Sequence, residues 1–358
     1  MQIENISDCF IGKGNTLAVN QLGIGNINKS YIITTKTERY ILQRINTNVF
    51  SNPILVCNNV MTVTKHLQDK SINTLSFIKV RFDNEDEDFT KVCSGCLLYR
   101  KNDRSYWRMM KFIENTYCVD CAKNSENAYE TGFAYGNFIN QTSDLKAELL
   151  KPVIEDFHNL PLRIERLKNV YSRYKGAKGH NEYKRFFEES KKVNLFLRQK
   201  LPDRVTHNDT KIDNLLFDKS SGRVCAVVDL DTVMPGKISD DFGDSARSVA
   251  SSVGENECEY SKIYLNLDKF ENFAAGFSAA IGKNLTCKEV SGLKDSVAYV
   301  TAELACRFLT DYFDGNKYFH IDYPDHNLCR AINQLALLQS VIDSQNAINK
   351  IIDKAFYK

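Results

Sequence analysis

Apolar positions follow two regimes along this 358-residue chain, and the change comes near residue 113. Ahead of it, short runs alternate or cluster as strands do. Residues 30–34 and 39–45 make two such runs and residues 75–82 a third. Residues 97–100 and 106–113 predict a hairpin across the polar stretch 101–105. One helix interrupts this half, with Val56, Val60, Val63 and Leu67 at helical spacing over residues 53–67. Beyond residue 113 the period lengthens. Ala128, Gly132, Tyr135 and Ile139 share one face, as do Ile164, Leu167, Tyr171 and Tyr174. Phe270, Phe273 and Phe277 mark a further helix, and Leu293, Val297, Val300, Leu304 and Phe308 a longer one. Residues 328–352 supply the last. The pattern predicts an α+β protein with a β-rich first lobe over 1–113, a mainly helical second lobe over 114–358, and a hinge near 110–114.

Residues 205–231 break the helical half: V-T-H-N-D-T-K-I-D-N-L-L-F-D-K-S-S-G-R-V-C-A-V-V-D-L-D. Leu215, Leu216 and Phe217 are apolar, as are residues 224–228, and 218–222 is turn chemistry, so the flanks predict a second hairpin. Polar residues gather at one end of it, in the order His207-x-Asp209-x-x-x-x-Asn214, with Asp229 fifteen residues further on. In a kinase this layout supplies a carboxylate for the acceptor hydroxyl, then an amide and a second carboxylate for Mg²⁺. Asp209 is the candidate proton acceptor, and Asn214 and Asp229 are the candidate metal ligands. Lys211 can bring a point charge to the γ-phosphate of ATP. A solvated loop whose Asp and Asn cap turns is the plainer reading, and the apolar hairpin with its terminal acid weighs against it.

Other positions carry two readings each. Strand alternation would put Asp229 and Asp231 on one face, where two carboxylates need a cation or a donor-rich ligand. Asp231 otherwise caps a turn through Met234-Pro235-Gly236. Gly23-x-Gly25 is either a phosphate-covering flap or an ordinary hairpin glycine pair. Alternation places Leu42 with Arg44, suiting an adenine and a phosphate contact, with Arg44 at the usual β3-lysine site; an exposed strand arginine is the alternative. Asp241-Phe242-Gly243 has the letters of a kinase triplet but lies too far from the hairpin, so Asp244 is the residue expected to brace the catalytic loop. Arg307 falls within an apolar helical stripe and needs either a structural ion pair or sugar oxygens.

Composition narrows the class. The net charge of +2 gives no electrostatic case for nucleic acid or an anionic membrane. No window reaches a membrane span, and the first 20 residues lack the apolar core of a signal peptide, so a soluble cytoplasmic protein is expected. It is expected as a monomer or weak homodimer. Eleven cysteines without an export signal point to reduced thiols. Cys93-x-x-Cys96 and Cys118-x-x-Cys121 have zinc-compatible spacing, but they sit on different elements, so independent thiols are the other reading.

Taken together, these residues resemble the aminoglycoside phosphotransferase and choline kinase superfamily, and within it the N-acetylhexosamine 1-kinases. The resemblance is carried by Y-I-L-Q-R-I-N-T-N-V-F (40–50), Y-W-R-M-M-K-F-I-E (106–114) and V-T-H-N-D-T-K-I-D-N-L-L-F-D (205–218). V-V-D-L-D-T-V-M-P-G (227–236), D-F-G-D-S-A-R (241–247) and R-F-L-T-D-Y-F (307–313) extend it. It implies a bilobal protein-kinase-like fold, ATP with Mg²⁺, and phosphoryl transfer to the anomeric hydroxyl of GlcNAc or GalNAc. By the same resemblance Asp209 is the base, Asn214 and Asp229 hold metal, and Asp231 and Arg307 contact sugar. Backbone groups of Lys111, Phe112 and Ile113 would hold adenine. Other small hydroxyl acceptors on the same fold are the alternative: another hexose, choline or another amino alcohol, an aminoglycoside. Asn58 stands where a helix glutamate is usual, Asp213 where Asn is frequent, and 84–94 looks inserted. The missing glutamate and β3 lysine leave open a non-catalytic binding protein on this scaffold.

Overall fold

Strands in the first part of the chain form because alternate side chains find an apolar face to cover. The computed structural model describes residues 3–22, 27–81 and 88–357. Two units divide the chain: Met1–Thr116 with Leu150–Ile154 and Leu230–Val233, and Tyr117–Leu149 with Glu155–Asp229 and Met234–Lys358.

The first unit runs α1 (Ile3–Ile11), β1 (Ala18–Gln21), β2 (Lys29–Thr34), β3 (Arg39–Ile45), α2 (Pro53–Asp69), β4 (Phe77–Ile78), β5 (Phe89–Val92), β6 (Leu97–Arg100) and β7 (Ser105–Lys111). Its antiparallel sheet has the order β1-β2-β3-β7-β6-β5, with β4 also on β7. Helix α1 was not anticipated. Its Ile6, Phe10 and Ile11 pack on Ile33, Tyr40, Leu42, Leu98, Trp107 and Met109, forming the core of this unit. Strand β5 pairs with β6 inside the stretch read as an insertion, and only Phe77–Ile78 of the strand expected over 75–82 joins the sheet. Asn52 caps α2 by accepting the Leu55 N–H, with Pro53 in the first turn.

At the passage to the second unit lies the two-residue β8 (Thr116–Tyr117). The second unit then holds α3 (Ser125–Gln141), α4 (Leu160–Tyr171), α5 (His180–Ser190), β9 (Arg204–Thr206), β10 (Leu215–Asp218), β11 (Val224–Val227), β12 (Met234–Gly236), α6 (Ile238–Ala250), α7 (Leu267–Ile281), α8 (Cys287–Phe313), α9 (His326–Asp343) and α10 (Gln345–Phe356). The single helix expected over 328–352 is two, divided at Ser344, while α5 and α6 are additions. A capping box of Thr286 and Glu289 starts α8.

Helices α3 and α7 touch backbone to backbone. A Cβ at Gly132 would lie 2.1 Å from the Phe273 carbonyl oxygen, and one at Gly276 would lie 2.1 Å from that of Tyr129. Neither carbonyl belongs to a flexible side chain, so the helices would have to separate. Gly132→Ala is therefore expected to lose about 1–3 kcal/mol, as overpacked cores do. Urea unfolding checks this; an unchanged midpoint would mean the helices are not in such close contact.

Candidate active site

The loop from β9 into β10 carries His207, Asp209, Lys211 and Asn214, and tertiary hydrogen bonds set its shape. Asp241 accepts the N–H of His207 at 2.8 Å and of Asn208 at 2.7 Å, one on each carboxylate oxygen. The Thr210 hydroxyl donates to the Asp241 carbonyl at 2.6 Å. Asp241 is 1% exposed. Burial pushes its carboxyl up to about 7, against the pull of those two backbone N–H groups. This corrects the sequence reading. The first residue of D-F-G braces the loop, while Asp244 is paired with Arg247 at 2.8 Å. An Asp240-Asp241 pair in the first turn of α6 was the available signal, since acids favour a helix N-terminus.

His207 is buried and donates from Nε2 to the Val228 carbonyl at 2.9 Å, while its Nδ1 accepts the Asp209 N–H at 3.3 Å. One ring nitrogen donates and the other accepts, so the ring is neutral. Burial lowers its pKa in the same sense. Asn208 takes a left-handed φ of 66° within this loop.

Asp209 keeps 28% of its side chain exposed. The Asn214 amide donates to its backbone carbonyl at 2.8 Å and to its carboxylate at 3.0 Å. Lys211 Nζ lies 3.7 Å from Asp209 and 3.8 Å from Asp213. Its pKa is raised, chiefly by Asp209, so the ammonium stays charged. The hairpin joins Leu215 to Val227, and the Val228 N–H donates to the Asn214 carbonyl at 3.0 Å. That bond brings Asn214 and Asp229 to neighbouring strand ends.

Asp229, two residues beyond β11, takes a left-handed φ of 56°, a costly conformation for a residue other than glycine. Leu230–Thr232 then forms a short helical turn, so strand alternation does not extend to Asp231. Met234–Gly236 is not a turn but a strand paired with β9. Mg²⁺ prefers oxygen ligands and one or two carboxylates beside phosphates. Asn214 has committed its amide N–H groups to Asp209, and among the described residues its side-chain oxygen has no hydrogen bond. That oxygen and the exposed Asp229 carboxylate form a donor set that fits Mg²⁺.

Within the first unit, the face of β3 was misjudged. Leu42 is 0% exposed in the α1-covered core, and Arg44 on the same side meets Asp103 at 3.5 Å. This corrects the reading of Leu42 and Arg44 as nucleotide contacts. Gln43 lies on the other face and accepts from Arg108 Nε at 2.9 Å. Arg108 in turn pairs with Asp231 at 2.5 Å, and Asn28 donates to the second Asp231 oxygen at 2.7 Å. Asp231 is 2% exposed. Within this unit one oxygen forms an ion pair and the other accepts from Asn28, so a structural ion pair accounts for its burial. Asn58 accepts from the Cys93 thiol at 3.0 Å, and the neighbouring Asn59 is the buried polar residue of α2, donating to the Lys151 and Val233 carbonyls.

Gly23 and Gly25 lie outside the described residues. The N–H groups of Lys111 and Phe112 go to the Ser76 and Arg39 carbonyls, leaving that of Ile113 without a partner among the described residues. In the second unit, Arg307 lines a cleft with Arg163, Arg166, Tyr318 and Phe319, and Glu303 stands 3.7 Å from it. Among the described residues none of the eleven cysteines is in a disulfide, and no three His, Cys, Asp or Glu side chains gather as a metal-holding group. No described helix is long and apolar enough to cross a membrane.

Comparison with solved structures identifies the fold. A microcompartment-associated aminopropanol kinase superposes with a TM-score of 0.59 at 11% identity, over 96% of this chain and 97% of that one. The GDP complex of aminoglycoside 2'-phosphotransferase-IIIa gives 0.58 at 11% identity, over 97% and 100%. Spectinomycin phosphotransferase, in complex with ADP and spectinomycin, gives 0.55 at 12% identity, over 92% of each chain. These likenesses establish an α+β, protein-kinase-like phosphotransferase fold. Residues 18–271 match the model of the phosphotransferase enzyme family (APH). The chain belongs to that family.

Proposed function

We propose that this protein is an ATP-dependent kinase that phosphorylates the anomeric hydroxyl of N-acetylhexosamines. The observation that carries the reading is Asp209: a partly exposed carboxylate fixed between the Asn214 amide and Lys211 on a loop fastened by Asp241. The acceptor hydroxyl gives its proton to Asp209 as its oxygen bonds to the γ-phosphorus and the bond to the ADP oxygen breaks. Lys211 offsets charge on the transferring group. Mg²⁺, held by Asn214 and Asp229, would neutralise phosphate charge when bound. The Ile113 N–H, without a partner among the described residues, suits an adenine acceptor nitrogen.

A neutral sugar is favoured by the cleft around Arg307. Arg163, Arg166 and Arg307 line it with Asp311, Tyr318 and Phe319; both Asp311 oxygens already accept from backbone N–H groups of 317–319 and from Asn327, and Arg307 feels the charge of Asp209. Guanidinium donors match sugar oxygens, while a cationic amino alcohol or aminoglycoside would meet like charge. Those acceptors form the second reading, because aminopropanol kinase and aminoglycoside phosphotransferases share the fold.

An ADP-release screen over free sugars, amino alcohols and aminoglycosides tests the proposal, with the product anomer identified by phosphorus NMR. Turnover of GlcNAc or GalNAc to the 1-phosphate is expected. Turnover of choline or kanamycin with none of the hexosamines would overturn the acceptor assignment. Mg-ATP is expected to raise the Tm by mass action, and no rise at millimolar nucleotide would favour a non-catalytic scaffold.

A further inference from the structure

His158 is 4% exposed and stands between two hydrogen-bond acceptors. Its Nδ1 is 2.7 Å from Glu303 Oε2, and its Nε2 is 3.2 Å from the Asn208 carbonyl oxygen. A carbonyl oxygen only accepts, so Nε2 must carry a hydrogen. Glu303 is buried too; burial favours its neutral form, but His158, Arg307 and Arg163 outweigh this and hold its pKa below the usual value. The Arg307 guanidinium, 3.7 Å from the other Glu303 oxygen, places a carboxylate there independently of the ring, and Nδ1 then donates to it. An imidazole donating from both nitrogens is a cation.

The Asn208 carbonyl and the Asp209 N–H belong to one peptide unit. His158 holds its oxygen at 3.2 Å, and His207 Nδ1 accepts from its nitrogen at 3.3 Å. Turning that peptide would swing Asp209 away from Asn214 and Lys211. We infer that His158 is a charged positioning residue for Asp209, coupling the Arg307 cleft to the catalytic loop through Glu303 and the Asn208 carbonyl.

The surroundings are built to hold that ring. The Tyr299 hydroxyl donates to the His158 carbonyl at 2.9 Å and accepts the Leu160 N–H at 3.1 Å. The Phe157 ring lies edge-on to His158 at 4.7 Å and beneath the Arg307 guanidinium at 4.8 Å. The charges acting on the ring are Glu303 from α8, Asp240, Asp241 and Asp244 from α6, and Arg198, which pairs with Asp240 at 3.0 Å; Arg307 lies behind Glu303, 3.7 Å from its other oxygen. Burial alone would lower the pKa of His158, yet Glu303 and then Asp240 lift it from 6.5 to about 9, with Arg198 opposing. The folded value exceeds the free one. Its stabilising contribution is therefore complete below pH 6.5 and is lost as pH rises through about 9.

The inference rests on Asp209 as the proton acceptor, and its test separates the two ideas. In the full-length protein, ¹⁵N NMR is expected to show both His158 ring nitrogens protonated near neutral pH; a neutral single tautomer there would overturn the assignment. His158→Gln keeps one donor and removes the charge. With GlcNAc and Mg-ATP it is expected to lower kcat about 10–100-fold with KM for ATP unchanged, the loss expected of a misplaced reacting group. Amide exchange across residues 207–210 should quicken in the same variant. Unaltered kcat and exchange would assign His158 to packing alone. If that variant fails to fold, Glu303→Gln keeps the ring and should leave it neutral at mildly alkaline pH; a ring still doubly protonated there would sink the coupling. A wild-type protein that phosphorylates no acceptor defeats the kinase proposal, while ring NMR and loop exchange still decide the role of His158.

Discussion

Asp209→Asn is expected to lower kcat by about 10²–10⁴-fold, the range contributed by a positioned acid or base. The amide matches the carboxylate in shape but cannot take a proton at neutral pH. It also brings N–H donors to a place where the Asn214 amide already donates at 3.0 Å and the Lys211 ammonium lies 3.7 Å away. Donor would face donor, and Lys211 would lose the anion that chiefly raises its pKa. Nucleotide affinity should stay nearly unchanged, because Asp209 is assigned to the acceptor hydroxyl and not to the nucleotide. Steady-state kinetics beside a Mg-ATP thermal shift measures both. A kcat within a few-fold of wild type would remove Asp209 from the reaction.

Arg108→Ala should cost about 3–5 kcal/mol of stability, the loss typical when one partner of a buried ion pair is removed. Arg108 and Asp231 are both almost fully buried; Gln43 accepts from the guanidinium and Asn28 donates to the carboxylate, while Arg108 Nη1 has no hydrogen-bond partner among the described residues. Without the guanidinium, an anion would stay inside the first unit facing only the Asn28 amide. The joint replacement Arg108→Met with Asp231→Leu leaves no stranded charge and should be far milder than either truncation alone. Urea denaturation of the single and double variants measures the coupling. Additive losses would show that the two charges do not depend on each other.

The sequence shows that Leu42 and Arg44 share a face of β3, but period-two alternation does not say which face the core will cover. Helix α1 decided that. It is nine residues long and includes Glu4, Asn5 and Asp8, so its apolar signal is short: Ile3, Ile6, Phe10 and Ile11. Strand β3 was legible to the residue because every second side chain meets the same environment. Helix α6 was not, since Ser239, Asp240, Asp241, Asp244, Ser245 and Arg247 are all buried in it. A helix enclosed on every side shows no polar stripe, and its polar groups are satisfied by partners remote in sequence.

The catalytic hairpin was visible for the opposite reason. His207, Asp209 and Asn214 lie within one short loop whose strands are apolar and whose turn residues are diagnostic. Local spacing fixes such a group almost without reference to the rest of the chain. Asp229 could be placed beside Asn214 because a hairpin register follows from its turn. Asp231 could not, because β11 stops at Val227 and a helical turn over Leu230–Thr232 breaks the alternation.

From sequence alone came the two-part α+β organisation, the hairpin, and the acid, lysine and amide that it presents. Folding decided which carboxylate braces the loop, that His158 is charged, and that Arg108 and Asp231 neutralise each other. Periodicity and turn chemistry act between residues a few positions apart, so they are written in the chain. A buried charge is held by whichever partner packing delivers, and that is settled only when distant segments meet.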